Sequence, residues 1–254
     1  MALAPEQTPL ELLDAPLVES ADPWVFRVEQ ISLYDDNIEL SSRGQQADFV
    51  FMLRASVAWQ RGDLKRKRGS WARVFYEATG TVFAEADHEN SLDHDFQAGG
   101  QRRWGRLAAA LEGRYRFLSG ATPDLGDRVE RQEYGARLGA SYDLSGRTFL
   151  EAGAHWTGVD YQDKFYADFD EWAAEGFAGY ELSGRTRIAA GAAVGQLKVE
   201  GTAPQDFQQA LVKVTRASTG ALGLTGRAGA EFRQMERGDE VTPVFAVVAD
   251  WEPI

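Results

Sequence analysis

Three histidines, His88, His94 and His155, are the side chains of this 254-residue chain best suited to act as a base near neutral pH. His88 and His94 flank a loop in "EADHENSLDHD", where solvation is the simpler role. His155 falls on the charged side of an alternating segment, together with Glu151. Nucleophilic hydrolysis needs a serine or a water, a base and an orienting group within hydrogen-bond reach. No serine is evidently paired with His155, so a place in a ladder of structural charges suits it better. Cysteine is absent, which removes disulfides, thiol nucleophiles and thiolate metal sites. The expectation is a chain that is not an enzyme, with no catalytic residue, no cofactor and no metal.

Two charged stretches deserve the same weighing. "DYQDKFYADFDE" holds Asp160, Asp163, Asp168, Asp170 and Glu171, enough hard oxygen for calcium, but the spacing is not that of an EF-hand loop and Lys164 interrupts the cluster. A solvated acidic loop on the cell exterior is the expectation. "KRKR", Lys65 to Arg68, reads as a turn on the periplasmic side, able to meet lipid phosphates or a periplasmic protein partner.

The elements that must carry these residues follow from a period of two. Tyr134, Ala136, Leu138, Ala140 and Tyr142 alternate with Gly135, Arg137, Gly139, Ser141 and Asp143, and Phe49, Phe51, Leu53, Ala55, Val57 and Trp59 oppose Val50, Met52, Arg54, Ser56, Ala58 and Gln60. Such alternation marks a strand with one apolar and one polar face. "YDLSGRT" at Tyr142 returns as "YELSGRT" at Tyr180, a near repeat that suggests a repeated hairpin. The pattern predicts twelve strands, roughly 24–34, 47–60, 71–84, 93–104, 106–118, 131–145, 147–159, 170–183, 185–199, 206–217, 220–234 and 241–252. Short links make them antiparallel neighbours in an up-and-down meander. Residues 1–23, with four prolines, read as an irregular periplasmic leader, and 24–254 as one barrel domain.

Which face looks outward decides the class of function. In a soluble sandwich the apolar face would fill the core. Here that face is mostly Ala, Leu, Val and Gly, suited to fluid acyl chains more than to an interlocking core. The opposite face interleaves acid and base, so neighbouring strands can neutralise one another across a lumen. The expected lumen-lining residues are Arg54, Arg73, Glu77, Glu112, Arg114, Arg116, Arg137, Glu151, Glu175, Arg187, Arg227, Glu231 and Arg233. Tight links after "YDLSG", after "YELSG" and around "RASTGA" alternate with long polar ones, the habit of outer-membrane barrels. Trp59, Trp104, Tyr142, Tyr180 and Trp251 fall near the short turns; Phe117, Tyr134, Trp156, Tyr161 and Trp172 fall near the long loops. Two levels of aromatic rings are the expected girdles at the two membrane–water interfaces.

Charge and hydropathy set the remaining bounds. A net charge of −12 disfavours nucleic acid as a partner. No apolar run is long enough for a transmembrane helix, whereas a transmembrane strand needs only about 9–11 residues. "MALAPEQTPL" carries no secretory signal, so an exported chain has had its signal removed or replaced.

"LYDDNIEL", "DLGDRVERQEYGARLGASYDLSGRTFLEAG", "DYQDKFYADFDEW", "YELSGRTRIAAG", "FQQALVKV" and "EFRQMERGDEVTPVFAV", in this order, resemble the β-barrel porin 2 family of bacterial outer-membrane proteins over roughly residues 24–254. The resemblance implies a transmembrane antiparallel up-and-down β-barrel with outer-membrane lipid as its surroundings, and an association with exopolysaccharide or capsule export. It carries no catalytic residues. The chain departs from the family at "DWEPI", where members continue through more strands and finish on an aromatic. The expected function is a passive pore or export conduit with an oligosaccharide or polysaccharide as cargo and its N-terminus in the periplasm. The alternatives are a scaffold barrel that binds a periplasmic or membrane protein, and a soluble ligand-binding barrel.

Overall fold

A computed structural model describes residues 22–38, 47–62, 70–122, 127–217, 222–234 and 238–251. The alternating segments form β1 (Trp24–Asp35), β2 (Asp48–Gly62), β3 (Trp71–Phe83), β4 (Ser91–Trp104), β5 (Leu107–Leu118), β8 (Arg131–Asp143), β9 (Thr148–Tyr161), β10 (Phe169–Ser183), β11 (Thr186–Val199), β12 (Gln205–Ala217), β13 (Leu222–Arg233) and β14 (Glu240–Trp251). A small hairpin of β6 (Ala121–Thr122) and β7 (Asp127–Arg128) decorates the link between β5 and β8. One 3-10 turn, Asp87–Glu89, lies between β3 and β4. The twelve long strands make a single antiparallel sheet in chain order, β1 to β14, the up-and-down meander that the period of two predicts.

The links set the two ends of the sheet apart. At one end the strands are joined by brief turns, the longer link 63–70 between β2 and β3 excepted: Gly105 and Arg106 alone connect β4 to β5, with Gly105 at a φ of 57° that a side chain would resist. Ser145 closes the turn between β8 and β9 by accepting from the Arg147 and Thr148 amides. At the other end the links are longer, and Asp48 ties one of them down by accepting from the Glu85 and Ala86 amides.

Register places like with like on each face. Leu111 opposes Leu138, Tyr142 opposes Leu150 and Trp156 opposes Trp172 on the outward face. Arg114 and Glu112 of β5 lie opposite Gly135 and Arg137 on the other. The apolar face is the exposed one: Leu138 and Leu224 are 53% and 40% exposed, whereas Arg73 and Glu112 are each 3% exposed. This is the inverse of a soluble sandwich, where apolar side chains occupy the interior.

The enclosed face is not uniformly polar. Phe149, Phe177, Ala189, Ala193 and Leu211 form a buried cluster against which Val244 of β14 packs. Ala58 and Phe75 form a second, with Val25 of β1. The rings of Phe149 and Phe177 fit because glycines lie beside them. A Cβ at Gly191 would meet the Gly176 carbonyl at 2.1 Å and the Phe177 ring at 2.5 Å, and one at Gly179 would meet the Phe149 ring at 2.1 Å. Each ring covers backbone that a bare glycine leaves open.

The sheet has two margins. β1 pairs with β2 and β14 with β13, and no pairing between β1 and β14 is present among the described residues. Gln234 donates to the Asp206 carbonyl, which sets the alternation along β13 so that Ala230 bonds toward β12. Its partner Pro243 therefore turns its nitrogen, which has no hydrogen to donate, toward the open margin.

Candidate functional site on the enclosed face

All thirteen charged residues expected to face inward share the enclosed face, and register explains how they meet. Arg54 of β2 lies 3.4 Å from both Glu77 of β3 and Glu29 of β1. Arg114 reaches Asp95 of β4 at 2.7 Å, while Arg116 and Arg131 converge on Glu133, the latter at 2.7 Å. Arg137 stands opposite Glu112 and His155 in its two ladders. Arg233 pairs with Glu231 at 2.8 Å, and Gln209 donates to the same carboxylate at 2.8 Å.

The most informative contacts skip strands. Lys213 of β12 donates to Glu151 of β9, and Arg227 of β13 reaches Glu175 of β10 at 2.8 Å. Each pair steps over two intervening strands, which in a flat sheet would hold their backbones about 14 Å apart. The sheet curls, and Ala189, Gly191 and Ala193 of β11 keep the path between the partners clear.

Rings accompany the charges. The Arg187 guanidinium lies 3.7 Å from the Phe149 ring centroid, the Lys213 ammonium 4.5 Å from that of Phe177, and Arg233 and Arg73 sit 5.3 and 5.6 Å from Phe207 and Phe75. A cation over an aromatic face gains electrostatic stabilisation that grows as water is excluded. The Trp71 indole N–H is buried with no acceptor among the described residues. The arrangement can neutralise charge in pairs, and it offers polar atoms and ring faces to a guest.

Sequence reading missed Asp95, Glu133, Arg131 and Lys213, which complete the pairs, and the rings of Phe75, Phe149, Phe177 and Phe207. The rings were visible as aromatic residues at charged-face parity, but nothing in sequence places glycines beside those of Phe149, Phe177 and Phe207.

On the outward face the aromatic residues take two levels. Trp59, Trp104, Tyr142 and Tyr180 lie toward the brief turns. Phe117, Tyr134, Trp156 and Trp172 lie toward the longer links. Trp251 ends β14 opposite Leu222. Tyr134 and Trp156 stack at 4.5 Å, and the Tyr134 hydroxyl donates to Asp160. Tyr161, by contrast, has enclosed-face parity, opposite Arg131.

Three expectations change, the first being Tyr161, which leaves the outward level of rings for the enclosed face. His94 is no loop residue: β4 begins at Ser91, so His94 sits within the strand on the outward face, with Nδ1 2.8 Å from the Tyr76 hydroxyl and its ring near Phe117. The carboxylates of the acidic loop act locally, Asp163 accepting from the Phe165 amide and Asp168 from the Tyr161 amide. "KRKR" and residues 1–21 of the leader lie outside the described residues.

No family model matches the chain, and no curated protein matches it either. Among solved structures it is similar to the in-vitro folded outer membrane protein OmpT of Vibrio cholerae, at 9% identity over 92% of this chain and 99% of that one, with a TM-score of 0.41. The trimer form of the same protein gives 9% identity, 91% and 99% coverage and a TM-score of 0.42. A triple mutant of the Rhodopseudomonas blastica porin gives 8%, 89%, 100% and 0.20. The resemblance to the porin 2 family is not borne out by a family model, and the structure itself supplies the all-β up-and-down meander.

The third change concerns activity: the exclusion of an enzyme does not stand. OmpT takes its place among the similar structures beside porins, and at this identity the likeness concerns fold and decides activity in neither direction.

Proposed function

We propose that this chain builds the wall of a passive conduit across a bacterial outer membrane, its brief turns and N-terminus on the periplasmic side. The observation that carries the reading is the inverted partition: leucines such as Leu111 and Leu138 are exposed while Arg73, Glu112 and Glu231 are buried. Lipid rewards the first, and paired charges within an enclosed face make the second tolerable. The two levels of outward aromatic rings support the same surroundings. The cargo is a polar solute of the oligosaccharide class, a choice supported by carboxylates, guanidinium groups and ring faces mixed on one surface and by the porin-like resemblance in sequence. Planar-bilayer recordings of the refolded chain test this, with discrete conductance steps expected. An inserted protein without steps at any voltage would remove the conduit.

A second reading has its own observation. The buried cluster around Phe177, with Lys213–Glu151 and Arg227–Glu175 crossing it, fills the enclosed face along β9 to β13. A wall filled in this way suits a scaffold barrel that binds a membrane or periplasmic protein. Stoichiometric co-purification of such a protein, together with silent bilayers, would favour it.

A further inference from the structure

One groove on the outward face has no role in the reading above. It is a shallow, open groove of roughly 510 Å³ toward the brief-turn end of β9 to β12, walled chiefly by Leu144, Ala178, Tyr180, Ile188, Ala190 and Val212. Apolar side chains make up almost all of that wall.

Arginines rim the groove at the turn end. Arg147 lies 3.4 Å from the hydroxyl of Tyr180, a wall residue. Arg185 sits in the turn between β10 and β11. Arg216 stands opposite Thr186 on the outward face, two positions past Val214, whose partner is the wall residue Ile188. All three are exposed, and among the described residues none is in an ion pair with a carboxylate. The opposite end of the same face is mixed, with Asp160, Asp170 and Asp206 at outward positions beside the longer links and Lys198 directly opposite Asp170. The three arginines at the turn end have no outward carboxylate set against them in this way among the described residues.

We propose that the groove and its rim bind one anionic glycerophospholipid of the turn-side leaflet, an acyl chain lying along Ile188, Ala190 and Val212 and the headgroup phosphate held by Arg147, Arg185 and Arg216. This rests on the membrane-spanning reading. Guanidinium groups suit phosphate because their planar fork donates two hydrogen bonds at once. Tyr180 sits where an amphipathic ring bridges hydrocarbon and headgroup. The apolar walls end where the cations begin, which matches the order of parts in a phospholipid.

The test inserts the full chain into vesicles of equal phosphatidylglycerol and phosphatidylcholine with matched acyl chains, extracts it in mild detergent and counts retained lipids by native mass spectrometry. One phosphatidylglycerol retained over phosphatidylcholine by roughly fivefold or more is expected, since each interfacial cation adds attraction for anionic lipid. Arg147→Gln with Arg216→Gln should bring the two lipids near parity. Val212→Trp, which fills the groove and spares the arginines, should lower retention of both; circular dichroism and heat-modifiable migration check that each variant is folded. Equal retention of the two lipids by inserted wild-type protein, or an undiminished preference in the double-arginine variant, would overturn the site alone. A chain that alkaline washing strips from the vesicles would overturn the membrane reading, and the site with it.

Discussion

The wall from β9 to β13 and the margins β1 and β14 share one kind of backbone ladder and differ in almost everything else. β1 is in register with β2 from Trp24 to Asp35, as continuously as β10 is with β9. Yet on the enclosed face Phe177 of β10 and Leu211 of β12 are 4% and 5% exposed, while Leu33 of β1 is 36% exposed and Val244 of β14 is only partly buried. Pairing alone gives a sheet its register. Burial comes from side chains that reach across the curl, as Lys213 reaches Glu151 and as Phe177 covers Gly191.

Substitutions in matched pairs can sharpen or break this contrast, beginning with the largest effect. Gly191→Val should prevent folding or cost at least about 3 kcal/mol, because its Cβ meets backbone, which cannot rotate away. Gly226→Ala, where an added Cβ meets nothing within 4 Å, should change stability by less than about 0.5 kcal/mol. Urea titration of both variants in the same lipid checks the pair, and equal losses would dissolve the distinction. Next comes Phe177→Ala, expected to cost about 3–5 kcal/mol as a buried ring is lost. Leu33→Ala, on the enclosed face at the β1 margin, should fall well below that, as judged by the shift of the same unfolding midpoint.

The ion pairs follow. Glu175→Gln leaves Arg227 facing a neutral amide inside the curl and should cost roughly 2 kcal/mol. Glu29→Gln removes a half-exposed partner of Arg54 that Glu77 still backs up, and should cost less than about 0.5 kcal/mol. Raising salt should narrow the small loss and leave the large one. The smallest effect is kinetic. Margin-facing amides of β1, such as those of Phe26 and Val28, should exchange with deuterium faster than amides of β10, with little change in global stability.

Much of this contrast could be foreseen from sequence, and the limits are physical. The strand expected at 131–145 is found at Arg131–Asp143, and that at 185–199 at Thr186–Val199, because a period of two ending at Ser-Gly leaves little freedom. Facing is equally local: parity along one strand puts Arg137 and Leu138 on opposite sides. Partnership is not local. Glu151 meets Lys213 only when the sheet curls over Ala189 and Gly191, a property of several strands at once. Phe149, Phe177 and Phe207 break the parity of a charged face, and without register they look like exceptions. His94 looks like a loop residue for a simpler reason: it stands one position inside the strand expected at 93–104, beside a polar run, and its outward place in the strand is clear only once β4 is seen to begin at Ser91.

Pro243 bears on how such a sheet survives before it reaches lipid. An uncovered strand edge is a template on which other chains can stack, and β14 carries Val241, Phe245 and Val247 along its outward side. With no donor at position 243, an arriving strand must leave one acceptor unanswered in the middle of its docking site. The missing hydrogen acts as a gatekeeper against fibrillar growth during transit, and Pro243→Val should show this as faster thioflavin-positive aggregation in dilute denaturant.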